Sequence, residues 1–166
     1  MVQAINPEFV QLGYVTNDLK KAMAFFRDSM AVPDFHVWND APVHMELYGK
    51  PATATLNLGF AWRADTMIEL IMPVSGAVDV YMPGIEGPDY ALKLHHIGQG
   101  VAGTEADFDA KLNAAVKAGH SLVNISRASM GSYTLLDARK SSGLYFEYLW
   151  NNEGGLDFFA KIPRSG

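Results

Sequence analysis

The sequence contains no cysteine, which removes disulfides, thiolate nucleophiles and cysteine-held zinc from consideration. It also lacks a basic cluster: 13 Lys and Arg are scattered against 18 Asp and Glu, for a net charge of −5. Such a balance offers no electrostatic footprint for nucleic acid. No apolar run approaches a membrane span, and no basic segment followed by an apolar one opens the chain. The expectation is a soluble cytoplasmic protein with neither nucleic-acid nor membrane partners. Charged residues are sparse at 19%, whereas apolar residues reach 49%, enough to build a core and too many for disorder. A length of 166 residues fits one compact domain, or two small modules sharing a core.

What the sequence does contain is the same unit written twice. The first copy begins with Val10-Gln11-Leu12-Gly13-Tyr14-Val15, and the second with Leu94-His95-His96-Ile97-Gly98-Gln99-Gly100-Val101. A helical pattern follows each strand. In the first copy Asp18 is a good N-cap, and Leu19, Ala22, Met23, Phe26 and Met30 recur at helical spacing up to Pro33. In the second, Thr104 and Asp107 resemble a capping box, Phe108, Leu112, Ala115 and Val116 form the stripe, and Gly119 suits the position after the last turn.

Strands complete each copy. Three short antiparallel segments are expected between His36 and Trp62, broken at Asn39-Asp40-Ala41-Pro42 and Gly49-Lys50-Pro51. Met67–Met72 then closes the first copy. The second has strands near Ser121–Arg127, Gly131–Asp137 and Leu144–Trp150. The joining segment from Val74 to Tyr90 reads as an ordered linker with a short helix or turn. The tail from Asn151 carries Leu156, Phe158, Phe159 and Ile162 and is expected to pack back on the domain or on a partner subunit.

The first and last strands of the copies carry four candidate metal ligands: Gln11, Glu69, His96 and Glu147. Each has an ordinary structural alternative. Glu69 and Glu147 stand in apolar strands, where an unpaired buried carboxylate is costly, so the alternative is an exposed sheet face. His96 could be a satisfied core histidine with His95 as its exposed neighbour, and Gln11 a strand glutamine bonded to a neighbour. His36, His44 and His120 have no recognisable partner spacing and read as surface or loop residues. The run Asp137-Ala138-Arg139-Lys140 reads as a turn with a solvated arginine.

These motifs resemble the vicinal oxygen chelate superfamily, which includes glyoxalase I, methylmalonyl-CoA epimerase, extradiol dioxygenases and bleomycin-resistance proteins. The resemblance rests on Gln11-Leu12-Gly13-Tyr14-Val15 with Asn17-Asp18-Leu19 and Ala24-Phe25-Phe26, on Ile68-Glu69-Leu70, on His96-Ile97-Gly98, and on Gly143-Leu144-Tyr145-Phe146-Glu147. It implies an α+β fold, with two tandem βαβββ modules curling into a barrel-like cleft. A single glyoxalase-like domain is expected over 1–166, with module one at about 8–73, a linker at about 74–92, module two at about 93–150 and the tail at 151–166.

The resemblance further implies that Gln11, Glu69, His96 and Glu147 ligate one divalent ion. Three oxygen donors and one imidazole suit Zn²⁺, Mn²⁺, Ni²⁺, Co²⁺, Mg²⁺ or Fe²⁺. The expected enzyme is an isomerase, epimerase or lyase that moves a proton on the carbon next to a metal-bound carbonyl, with Glu147 as first base and Glu69 as second. Trp38, Phe60, Trp62, Met67 and Tyr133 are expected to line a pocket for a small, largely apolar substrate. A homodimer is expected. The alternatives are a metal-free small-molecule binding or resistance protein, and an extradiol-type dioxygenase, against which Gln11 stands where a histidine is needed.

Overall fold

The computed structural model describes residues 4–32 and 34–166; Pro33, the expected stop of the first helix, lies outside them. The element order repeats. The first run is β1 (Val10–Thr16), α1 (Leu19–Met30), β2 (His36–Leu47), β3 (Lys50–Arg63) and β4 (Thr66–Gly76). The second is β5 (Leu92–Gly100), α2 (Glu105–Lys117), β6 (Ser121–Ala128), β7 (Gly131–Asp137), the single turn α3 (Arg139–Ser142) and β8 (Tyr145–Asn151). This is βαβββ written twice, an α+β fold. A 3-10 turn at Asp79–Tyr81 lies in the joining segment, and α4 (Glu153–Ala160) and β9 (Arg164–Ser165) form the tail.

The chain divides into two compact units. One comprises the N-terminal residues through Val10, His44–Ala52 and His96–Lys161; the other comprises Gln11–Val43, Thr53–His95 and Ile162–Gly166.

In the Gln11-containing unit the strands lie in the order β1-β4-β3-β9. α1 starts because the Asp18 side chain accepts from the Lys21 amide, and it ends at Ala31 in a left-handed conformation with φ 52°. Its stripe of Leu19, Ala22 and Phe26 packs with Ile68 and Leu70 of β4 and Ala61 of β3, joined by Leu12 and Tyr14. Tyr14 meets Phe26 edge-on at 5.0 Å. The break expected at 39–42 is absent, and β2 runs straight through it. Asp40 takes φ 51° while its amide donates to the Asn57 side chain at 2.7 Å, so the irregularity is absorbed within the strand. The tail adds β9 parallel to β3, with Trp62 opposite Arg164.

In the His96-containing unit the order is β2-β6-β7-β8-β5. The true turn between β2 and β3 is Tyr48-Gly49, with φ of 50° and 77°; two consecutive positive φ values are what a tight hairpin of this hand requires. The capping box forms as expected: the Thr104 side chain accepts from the Asp107 amide, and Asp107 accepts from the Thr104 amide. Phe108, Leu112 and Ala115 of α2 pack on Leu136, with Ile125, Tyr148 and Trp150 alongside. α4 holds the tail against this unit through Phe159, whose ring lies 5.7 Å from that of Phe9.

Candidate functional site

In each unit a helix covers one sheet face, and strand alternation puts the candidate ligands on the other. Leu12, Tyr14, Ile68 and Leu70 face α1, so Gln11 and Glu69, each one residue away, project from the opposite face. There the Gln11 amide nitrogen donates to Glu69 Oε2 at 2.8 Å. Of the Gln11 side-chain atoms, only the carbonyl oxygen has lone pairs to offer a cation. Phe60 is directly opposite Glu69 across the β3–β4 ladder, and Trp62 is opposite Met67. All three of these apolar residues are buried, so the Glu69 carboxylate stands beside a hydrocarbon surface.

The second unit repeats the arrangement. Leu136, Tyr148 and Ile125 face α2, and the alternate residues of β7, β8 and β5 share the other face. One register row runs His96, Tyr145, Asp137 and the next runs Gly98, Glu147, Leu135. His96 Nε2 stands 3.4 Å from Glu147 Oε2, and both side chains are almost wholly buried. Gly98, the register partner of Glu147, contributes no side chain to this row. Tyr133 follows on the same face, in register with Leu149. The face is polar further out as well. Buried Asn124, opposite Leu135 at a bulge in β6, accepts from the Leu135 amide at 2.8 Å.

The candidate ligands therefore fall into two pairs, Gln11 with Glu69 and His96 with Glu147. Phe60, Trp62 and Met67 share a face with the first pair, and Tyr133 with the second. Trp38, by contrast, is 42% exposed on β2, outside these rows. His95 is no exposed neighbour of His96: it is buried, its Nε2 is 3.0 Å from the Val80 carbonyl, and its ring packs on Tyr81. It anchors the joining segment to β5.

Two further groups belong to the His96 face. Tyr145 is its register partner, and burial pushes the phenol pKa up, with the nearby Arg139 cation opposing the shift. Arg139 lies 4.8 Å over the Tyr145 ring and grips Asp137 through Nε at 3.0 Å and Nη2 at 2.7 Å. That contact holds the Asp137 carboxyl below its ordinary value and raises the guanidinium. Period-two spacing from Glu147 could have found Tyr145. Nothing local in the sequence points to the stacking of Arg139 on it.

The donor set fits a divalent cation. In one unit an amide oxygen and a carboxylate, and in the other an imidazole and a carboxylate, are donors that suit a borderline-to-hard ion. Glu147 and His96 are both almost wholly buried with Oε2 and Nε2 3.4 Å apart, a carboxylate–imidazole pair of the kind that such an ion takes.

No protein-family model and no curated protein matches the sequence. Solved structures do match. Methylmalonyl-CoA epimerase from Mycobacterium tuberculosis shares 13% identity over 92% of this chain and 93% of that one, with a TM-score of 0.58. A single-residue variant of the Streptomyces coelicolor methylmalonyl-CoA epimerase, in complex with 2-nitronate-propionyl-CoA, shares 17% identity over 90% of this chain and 99% of that one, with a TM-score of 0.58. A 4-hydroxymandelate synthase mutant from Streptomyces coelicolor gives 13% identity over 92% of this chain and 52% of that chain, with a TM-score of 0.53. The epimerases and the synthase are members of one superfamily. With the βαβββ order present twice, the chain has the vicinal oxygen chelate fold.

Proposed function

We propose that the protein is a divalent-metal-dependent isomerase, epimerase or lyase, and that Gln11, Glu69, His96 and Glu147 are the ligands of one ion. The observation that carries this reading is the repetition of a ligand pair: Gln11 on Glu69 at 2.8 Å and His96 on Glu147 at 3.4 Å, each at the same place in its module and each on the face its helix leaves open. A solved structure of like fold is an epimerase by name, which supports the reaction class.

When bound, the ion would polarise a substrate carbonyl and so acidify the adjacent C–H. The residues of the chain do the rest. Glu147, in register with Gly98, takes the proton from that carbon, and Glu69 serves as the second base. Phe60, Trp62 and Met67 exclude water beside Glu69 and seat the apolar body of the substrate, and Tyr133 lines the Glu147 face. The protein is further read as a cytoplasmic homodimer; among the described residues no helix is long and apolar enough to cross a membrane.

The test is elemental analysis of protein purified without chelator or a metal-binding tag, beside Glu69→Gln and Glu147→Gln. About one ion per chain in the parent, reduced in the variants, is expected. No ion, and no uptake from added Zn²⁺, Mn²⁺, Ni²⁺, Co²⁺ or Fe²⁺, overturns the reading in favour of a metal-free binding protein. With metal loaded, deuterium incorporation from solvent next to the carbonyl of candidate acyl compounds identifies the reaction.

A further inference from the structure

We propose that Arg139 is a specificity-determining residue that binds a carboxylate on the substrate, at the end of the sheet face carrying His96 and Glu147; this rests on the metal-dependent reading of that face. Asp137, Tyr145 and His96 are one register row across β7, β8 and β5, and all three side chains therefore leave the sheet on the same side. Arg139 reaches over this row: it binds the Asp137 carboxylate with two donors and stacks on the Tyr145 ring. The guanidinium thus stands on the same face as the ligand pair, with Tyr145 between.

The way it is held matters. Nε and one Nη2 hydrogen are committed to Asp137, a side-on grip, and this leaves the end-on fork of Nη1 and the second Nη2 hydrogen. Among the described residues Nη1 has no hydrogen-bond partner. A planar fork already fixed by stacking and by one carboxylate is preorganised for a second oxyanion, and the side chain is 49% exposed, so an incoming anion can reach it.

Scale sets the substrate class. Tyr145 and Glu147 are two residues apart on β8, about 6.6 Å at the rise of a strand. A carbonyl compound whose carboxylate lies on the order of 6–8 Å from the reacting carbon spans from the Glu147 row to the Arg139 fork.

The experiment measures binding to the full-length, metal-loaded protein by calorimetry, with two chelating probes of equal body: benzohydroxamate and 4-carboxybenzohydroxamate. The parent is expected to prefer the carboxylated probe by about tenfold at low salt, and the preference should shrink as salt rises. Arg139→Gln should abolish the preference while leaving the neutral probe within about twofold of parent, and Arg139→Lys should retain part of it. Equal affinities in the parent, or an Arg139→Gln variant that weakens both probes alike, would overturn the assignment and leave the metal reading standing. Failure of both probes to bind a parent shown to hold its ion also overturns the Arg139 assignment, whereas a parent that holds no ion overturns the metal reading beneath it.

Discussion

The Gln11 amide donates to Glu69 across 58 residues of chain, at 2.8 Å, and that single bond decides how the Glu69 carboxylate is presented. The bond ties Oε2 to the neighbouring strand and so restrains the orientation of the whole carboxylate. The contact also fixes the Gln11 side chain by its nitrogen, and only its weakly basic carbonyl oxygen can ligate. On the metal-dependent reading, Gln11 acts chiefly by orienting a stronger ligand.

Replacing Gln11 with Leu is therefore expected to weaken metal affinity by roughly tenfold without abolishing it, the size typical of losing a partner that orients a ligand. Stability should fall by about 1 kcal/mol, since a buried hydrogen bond is lost while apolar bulk is kept. Competition titration against a chromogenic chelator reads the first and urea unfolding the second. A Gln11→Leu protein with parental affinity would show that the hydrogen bond orients nothing.

The placement of the candidate residues on their strands was legible in the sequence, for a physical reason. Period two in the strands and period 3.6 in the helices are set by which side chains face the core, so Gln11, Glu69, His96 and Glu147 could be placed on one kind of face before any coordinates. Asp18 and the Thr104–Asp107 box marked the helix starts because capping is a local bond within three residues. What escaped was non-local or locally contradictory. Arg139 reads as a solvated loop residue because its stack on Tyr145 depends on the turn of α3. α4 escaped because Gly154 and Gly155 occupy its first turn, where helix propensity is poor. The continuity of β2 through Asn39-Asp40-Ala41-Pro42 depends on Asn57, which lies on the neighbouring strand.

The two glycines of α4 make opposite predictions. A Cβ on Gly155 would run into the Met130 carbonyl oxygen, whereas one on Gly154 meets nothing nearer than the Asn152 side chain at 3.4 Å. Gly155→Ala must push the helix off the β6–β7 turn and is expected to cost about 2 kcal/mol or more, as overpacking against backbone does. Gly154→Ala gains helix propensity and should stabilise by about 0.5–1 kcal/mol. Urea midpoints of the two variants test this directly; variants that move together would mean that α4 is not seated as described.

Asn124 provides a test of the face that carries Glu147. It is 1% exposed, its Oδ1 accepts from the Leu135 amide at 2.8 Å, and its own carbonyl accepts from the Thr134 hydroxyl at 2.6 Å. The bulge in β6 breaks the ladder here, and the Asn124 side chain replaces the missing backbone acceptor. Asn124→Leu leaves a buried N–H unpaired, at an expected cost of about 1–3 kcal/mol. Hydrogen exchange at the Leu135 amide should accelerate markedly in the variant, and an unchanged rate would show that another acceptor satisfies it.

Four surface carboxyl groups make stability decline in acid. Asp137, Glu105, Asp107 and Asp18 all have carboxyl pKa values lowered by folding. The main cause is the Arg139 contact for Asp137, the Ser132 hydroxyl for Glu105, and a backbone amide for the two helix caps. A lowered folded value means that the unfolded chain binds more protons in this range, so unfolding is favoured as pH drops. The stabilisation is complete above the ordinary carboxylate range, near pH 4, and is lost as pH falls through the lower folded values. Glu105 also pairs with Arg127 at 2.7 Å; all four groups are within reach of solvent, so salt should blunt their effect. Urea midpoints measured between pH 3 and pH 5 are expected to fall below about pH 4, and Glu105→Gln should make that acid limb shallower. A midpoint that rises on acidification would show that these carboxylates are not the groups linking protons to folding.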